Sequence, residues 1–147
     1  LGLDCNNAHV QPNGKYHYHG IPENYLRNIA SELTEMLLLG YAADGFPIYY
    51  QYGYINSELS LLNSSYVLKS GNRSGDGIDE PCGTYNGVYT ADYEYIEGFG
   101  DLDECNGYEG FTPEYPNGTY YYVLTEAYPG IPRCFKGIPS QDFRMGN

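Results

Sequence analysis

Apolar and polar positions along this chain change period several times, and each change predicts an element. Tyr16-His17-Tyr18-His19 alternates, is entered by the Pro12-Asn13-Gly14 turn and is stopped by Gly20 and Pro22. This predicts a short strand after a loop over residues 1–15. From Pro22 the period becomes helical. Leu26, Ile29, Ala30, Leu33 and Leu37 recur on one stripe while Arg27, Glu32 and Glu35 fall elsewhere, predicting one helix of at most about four turns. The run Leu37 to Ala42 suits a buried strand, Asp44-Gly45 a hairpin turn, and Phe46 to Tyr52 the return strand. Pro47 pushes that return strand toward an edge or a bulge. Residues 56–84 are polar and Gly/Ser-rich and read as the longest irregular stretch. Tyr-rich strands are predicted over Val88 to Ile96 and Thr119 to Thr125, with an acidic loop from Gly98 to Gly110 between them. A Pro/Gly-rich tail runs from Tyr128 to Asn147. The fold class predicted is mostly β, with one short-to-medium helix, long loops and a minor α+β character.

Two segments of the chain resemble each other, at residues 3–19 and 102–123. Each reads as a Cys loop (Leu3-Asp4-Cys5-Asn6-Asn7; Leu102-Asp103-Glu104-Cys105-Asn106-Gly107), a Pro-Asn-Gly turn and an aromatic strand. Tyr121 and Val123 stand where the first segment has His17 and His19, and Tyr108 roughly replaces His9. The expectation is one domain over residues 1–147 holding a duplicated unit, with imidazoles in one copy only.

Composition narrows the function. The 147 residues carry 19 Asp+Glu against 7 Lys+Arg, a net charge of −12. That balance excludes a phosphate-reading nucleic-acid binder and charge-driven docking on anionic membrane, and it favours cations as partners. No apolar run approaches the roughly 18 residues that membrane insertion needs. The chain begins at Leu1 and is read as processed. Cys5, Cys82, Cys105 and Cys134 form no Cys-x-x-Cys pair, so two disulfides are expected, with all three connectivities open. Asn63, Asn72 and Asn117 each head a glycosylation sequon in turn-like sequence. Together these point to a secreted or cell-surface protein carrying N-linked glycans.

All three histidines lie between positions 9 and 19. On a strand, His17 and His19 share a face with Cβ atoms about 6.6 Å apart, and the Asn13-Gly14 turn folds His9 back toward them. Three neutral imidazoles with an open position suit copper or zinc. Tyr16 and Tyr18 then supply hydrogen bonds behind the ligands or pack the core. A bland alternative is a set of hydrogen-bonded structural histidines. Asp101, Asp103 and Glu104 form a weaker candidate calcium site, since hard cations take clustered carboxylates, but no EF-hand loop is present. Asp76, Asp79 and Glu80 are a similar, weaker set. No Gly-x-Ser-x-Gly or His-Glu-x-x-His motif occurs, and the leading reading is not an enzyme. Nineteen tyrosines exceed what one core of this size needs. They raise a different class: the self-associating subunit of a glycosylated extracellular fibre or matrix.

Four ordered motifs carry a family resemblance. They are Cys5…His9…Pro12-Asn13-Gly14-Lys15-Tyr16-His17-Tyr18-His19; Gly40-Tyr41-Ala42-Ala43-Asp44-Gly45-Phe46-Pro47-Ile48-Tyr49; Asp101 to Gly107 with Thr112-Pro113-Glu114-Tyr115; and Ile131-Pro132-Arg133-Cys134-Phe135. The chain resembles YHYH-domain proteins through all four. The resemblance implies an extracytoplasmic domain and points to metal binding by the histidines, with no activity attached. Members of that family often repeat Tyr-His-Tyr-His in the later strand, where this chain reads Tyr120-Tyr121-Tyr122-Val123. A mechanism needing histidines from both segments is therefore not expected here.

Overall fold

The computed structural model describes residues 2–30 and 32–143. In chain order the elements are β1 (Ala8–Val10), β2 (Tyr16–Tyr18), α1 (Glu23–Ile29), β3 (Leu37–Tyr41), β4 (Pro47–Tyr50) and β5 (Tyr52–Ile55), then β6 (Glu58–Leu61), β7 (Tyr66–Leu68), β8 (Tyr93–Tyr95), β9 (Gly107–Gly110) and β10 (Thr119–Leu124). The central sheet has the order β3-β4-β10-β9. Its inner pair β4–β10 is parallel and its outer pairs are antiparallel. β1–β2, β5–β6 and β7–β8 are separate two-stranded ribbons. The mostly β class with one helix is borne out.

β10 is buried from Tyr120 to Leu124, the continuous apolar run that a strand covered on both faces requires. Its alternation divides the core. Tyr121 and Val123 pack with Met36, Tyr49, Leu62 and Leu102. Tyr120 and Tyr122 pack with Cys105, Phe46 and Ile48 on the opposite face. Leu124 joins Tyr50 and Leu26 of the helix in a third cluster. Tyrosine is tolerated here because ring edges meet ring faces, as in Tyr49–Tyr121 at 5.3 Å and Tyr120–Tyr122 at 5.2 Å. Most of the hydroxyls also find partners, although that of Tyr121 is buried without one. Tyr122 donates to Asp44 at 2.5 Å and accepts the Lys136 N–H at 2.6 Å, while Tyr120 donates to Asp103 at 3.0 Å.

Several expectations are corrected. The helix is seven residues, not four turns; Ala30 is extended at φ −143°, ψ 136°. Leu33 and Leu37 still pack on the Leu26 cluster, but from the chain beyond the helix. Pro47 opens β4 without making it an edge strand, since β4 lies between β3 and β10; the irregularity falls on β3, between Leu38 and Gly40. At the turn, Gly45 adopts φ +88° and its N–H donates to Ala42. The stretch 56–84 is not wholly irregular, as it contains β6 and β7.

The expectation of two disulfides fails as well. Cys105–Cys134 is bridged, whereas Cys5 and Cys82 are exposed free thiols. The long loop before β8 is held instead by a buried ion pair. Arg73 reaches Asp92, which has no exposure, through Nε at 2.7 Å and Nη2 at 2.6 Å. The same carboxylate accepts the Gly87 N–H at 3.0 Å, with those of Asn86 and Tyr89 at longer range. These donors hold the Asp92 carboxyl below its ordinary range, with the Arg73 guanidinium the largest influence.

Candidate metal centre

The β1–β2 ribbon is set by its preceding loop. The Asp4 carboxylate accepts the N–H groups of Asn6 (2.8 Å) and Ala8 (3.1 Å), and the Asp4 N–H donates to Ala8 O at 2.9 Å. Asn7 takes φ +54°, a conformation asparagine tolerates better than most side chains. Its carbonyl then receives the His19 N–H at 2.7 Å, which fixes His19 beside the ribbon just after β2 ends. The amide of Asn7 donates to Ile21 O at 2.8 Å, tying the exit of the ribbon to its entry.

This register places His9 directly opposite His17. The three rings form a triangle with centroid separations of 4.5 Å (His9–His17), 4.8 Å (His9–His19) and 4.6 Å (His17–His19). One ring nitrogen from each lies within 4.8 Å of the others. Closure on an ion at about 2.0 Å brings ligand atoms within about 4 Å of one another, a shift that side-chain rotation supplies. His9 Nδ1 lies 3.2 Å from Val10 O; in the tautomer that donates this bond, Nε2 keeps its lone pair for a ligand. His17 Nδ1 is buried with no hydrogen-bond partner. Partial desolvation, then the neighbouring His17 and His9, pull the His19 imidazole below its ordinary value of 6.5. His19 is thus biased toward the neutral, ligating form.

The tyrosines do neither job expected of them. Tyr16 and Tyr18 lie on the opposite, exposed face of the ribbon, edge to face at 5.5 Å. Tyr16 donates to Asp4 at 2.7 Å and so braces the organising loop, not a ligand.

The acidic candidates separate. Asp101 accepts from Asn63, and Asp103 accepts the N–H groups of Cys105 (3.0 Å) and Gly107 (2.9 Å). Glu104 uses its carbonyl to receive Tyr66. Asp76 closes a turn by accepting the N–H groups of Ile78, Asp79 and Glu80. Among the described residues, the His/Cys/Asp/Glu group whose ligand atoms converge on one centre is His9, His17 and His19. The sequon residues Asn63, Asn72 and Asn117 are all exposed.

Sequence reasoning overlooked Asp4 and Asn7, which carry no chemistry but build the site. Their signal was present in the second segment. Asp103 repeats the Asp4 contacts, Asn106 takes φ +62°, and the Val123 N–H donates to Asn106 O at 2.9 Å as His19 does to Asn7. Tyr108 pairs with Tyr121 across β9–β10 as His9 pairs with His17 across β1–β2.

No curated protein and no solved structure matches the chain significantly. No helix among the described residues is long and apolar enough to cross a membrane. The family model described as YHYH protein covers residues 1–137, and the chain belongs to that family.

Proposed function

We propose that this is a secreted or cell-surface protein that binds a metal ion through His9, His17 and His19 without catalysing a reaction, with copper ahead of zinc. The carrying observation is the convergence of three imidazoles, one with a buried nitrogen that has no protein partner. An unsatisfied buried polar atom costs free energy, and a metal would satisfy it while using its lone pair. Nitrogen donors alone suit Cu²⁺ or Zn²⁺ better than calcium, which takes oxygen. The two similar loop–hairpin segments are, in this reading, copies of one module. The second copy puts its equivalent side chains, Tyr121 and Val123, into the core, and the first leaves His17 half-buried and His19 exposed.

Calorimetric titration of the purified chain with Cu²⁺ is expected to give one equivalent. The His17→Ala, His19→Ala double variant is expected to lose at least 100-fold in affinity. Retention of wild-type stoichiometry and affinity by that variant places the ion elsewhere.

The proton dependence follows from the lowered His19. A lowered value means that protons compete less for its nitrogen, so His19 stays neutral further into acid than an ordinary imidazole does. Uptake is expected to be full at pH 7 and to fall as pH drops through and below 6.5, the ordinary imidazole value. Copper retention measured across a pH series checks this; an unchanged affinity down to pH 4 excludes imidazole ligation.

A second reading, the fibre or matrix subunit, is favoured by one observation. Ile78 and Ile138 are 87% and 93% exposed, more than folded side chains of that size ordinarily are. Glycans on Asn63, Asn72 and Asn117 would fit either reading. Ordered filaments in negative-stain images of purified protein would favour the fibre, and a monodisperse monomer would remove it.

A further inference from the structure

Beside His19 lies a groove of about 680 Å³, within the range of about 300–1,000 Å³ typical of small-molecule sites. His19 lies at its margin, Leu26 of α1 contributes to its apolar floor, and charged groups stand on two walls. Glu23 and Arg27 come from α1, 3.7 Å apart. Glu126 and Arg133 come from the segments after β10. In a chain of net charge −12, this groove is lined by two acids and two bases.

The state of those groups gives the site its character. Arg133 has no acidic partner among the described residues; its guanidinium lies 5.7 Å from the Tyr128 ring, which orients it without neutralising it. Its backbone N–H donates to Cys105 O, and the adjacent disulfide anchors the segment, so the cation is presented from a braced loop. Glu126 accepts the Tyr50 hydroxyl at 3.1 Å through one oxygen, leaving the other oxygen open. A free guanidinium recognises a carboxylate, and an open carboxylate recognises an ammonium. A ligand carrying both charges on a short apolar frame matches the groove better than an anion, which Glu23 and Glu126 would repel, or a cation, which Arg133 would repel.

We propose that the groove between α1 and the Cys105–Cys134 loop binds short zwitterionic peptides, with the peptide carboxylate on Arg133 and the peptide ammonium on Glu126. This site goes beyond the metal reading and stands without it.

The test is an amide NMR titration of the metal-free full chain with trialanine, and with trialanine acetylated at its N-terminus and amidated at its C-terminus. Trialanine is expected to shift the Gly20, Arg27 and Gly130 amides saturably, and the blocked peptide to bind at least tenfold more weakly. Arg133→Gln, an exposed position, is expected to weaken trialanine at least tenfold while leaving the tyrosine near-ultraviolet dichroism unchanged. Equal binding of the blocked peptide, unchanged binding by Arg133→Gln, or no saturable shift overturns the proposal. Because no metal is present, none of these outcomes bears on copper uptake by the triad.

Discussion

Removing the Cys105–Cys134 bridge is expected to lower unfolding stability by about 3–4 kcal/mol, the loop-closure value for cysteines 29 residues apart. The bridge ties the buried entry of β9 to an exposed tail whose other anchors are few. These include the Arg133 N–H on Cys105 O, the Lys136 N–H on the Tyr122 hydroxyl, the Gly137 N–H on Asp44, the Ser140 N–H on Ala43 O and the Lys136–Asp103 ion pair. Without the bridge the tail is held by these hydrogen bonds and one half-exposed ion pair, and water gains access to Tyr120 and Tyr122. The comparison is urea unfolding of the wild type against Cys105→Ser, Cys134→Ser. A matched Cys5→Ser, Cys82→Ser chain is expected to fall within about 0.5 kcal/mol of wild type, as exposed substitutions usually do. Equal losses in the two double variants would contradict the one-bridge arrangement.

The second large effect concerns Arg73. Arg73→Met leaves the Asp92 carboxylate with backbone donors but no cation, in a position with no solvent access. Stranding a buried charge costs far more than removing an exposed one, and the melting temperature is expected to fall by about 10 °C. A shift below about 2 °C would show that the loop is held by other contacts. The pair also sets acid behaviour. The Asp92 value is depressed in the folded state, so its stabilisation is present above the ordinary value of 3.8 and is lost as pH falls below it. Wild-type stability is therefore expected to decline steeply below pH 4, and an Arg73→Met, Asp92→Asn chain to decline less over the same interval.

How much was legible in the sequence depended on whether a signal was local. The turn and strand β2 were legible because turn, alternation and stop lie within 15 residues, whereas β1 falls in the stretch read as loop and was not. β10 was legible because five consecutive buried positions are all apolar or aromatic. The helix was overread for a physical reason. Leu26, Leu33 and Leu37 do share one apolar cluster, and helical spacing reports a shared core without requiring a continuous helix. Pro47 misled because proline is excluded from strand interiors, yet a first position in the strand spares it, even in the middle of a sheet. The pairing of Cys105 with Cys134 was not legible, since any of three connectivities satisfies the spacing. Nor was the Arg73–Asp92 pair, which depends on a fold-back of 19 residues with no periodicity to announce it. Of the candidate site, the grouping of His9, His17 and His19 was legible from clustering alone. The Asp4 and Asn7 scaffolding that aims the ligands was visible only as geometry.

The parallel pairing of β4 with β10 has a consequence for the order of events as the chain is made. Tyr49 and Val123 are register partners although 74 positions separate them in the chain. That contact must await the emergence of every residue between them, and long-range closure of this kind slows folding. The β1–β2 ribbon needs only residues 8–18 to form its ladder. The imidazole triangle is thus encoded about 100 residues ahead of the strand that seals the core. Until then β4 presents an unpaired inner edge with Tyr49 and Tyr50 uncovered, and this interval is the one in which association between incomplete chains competes with folding.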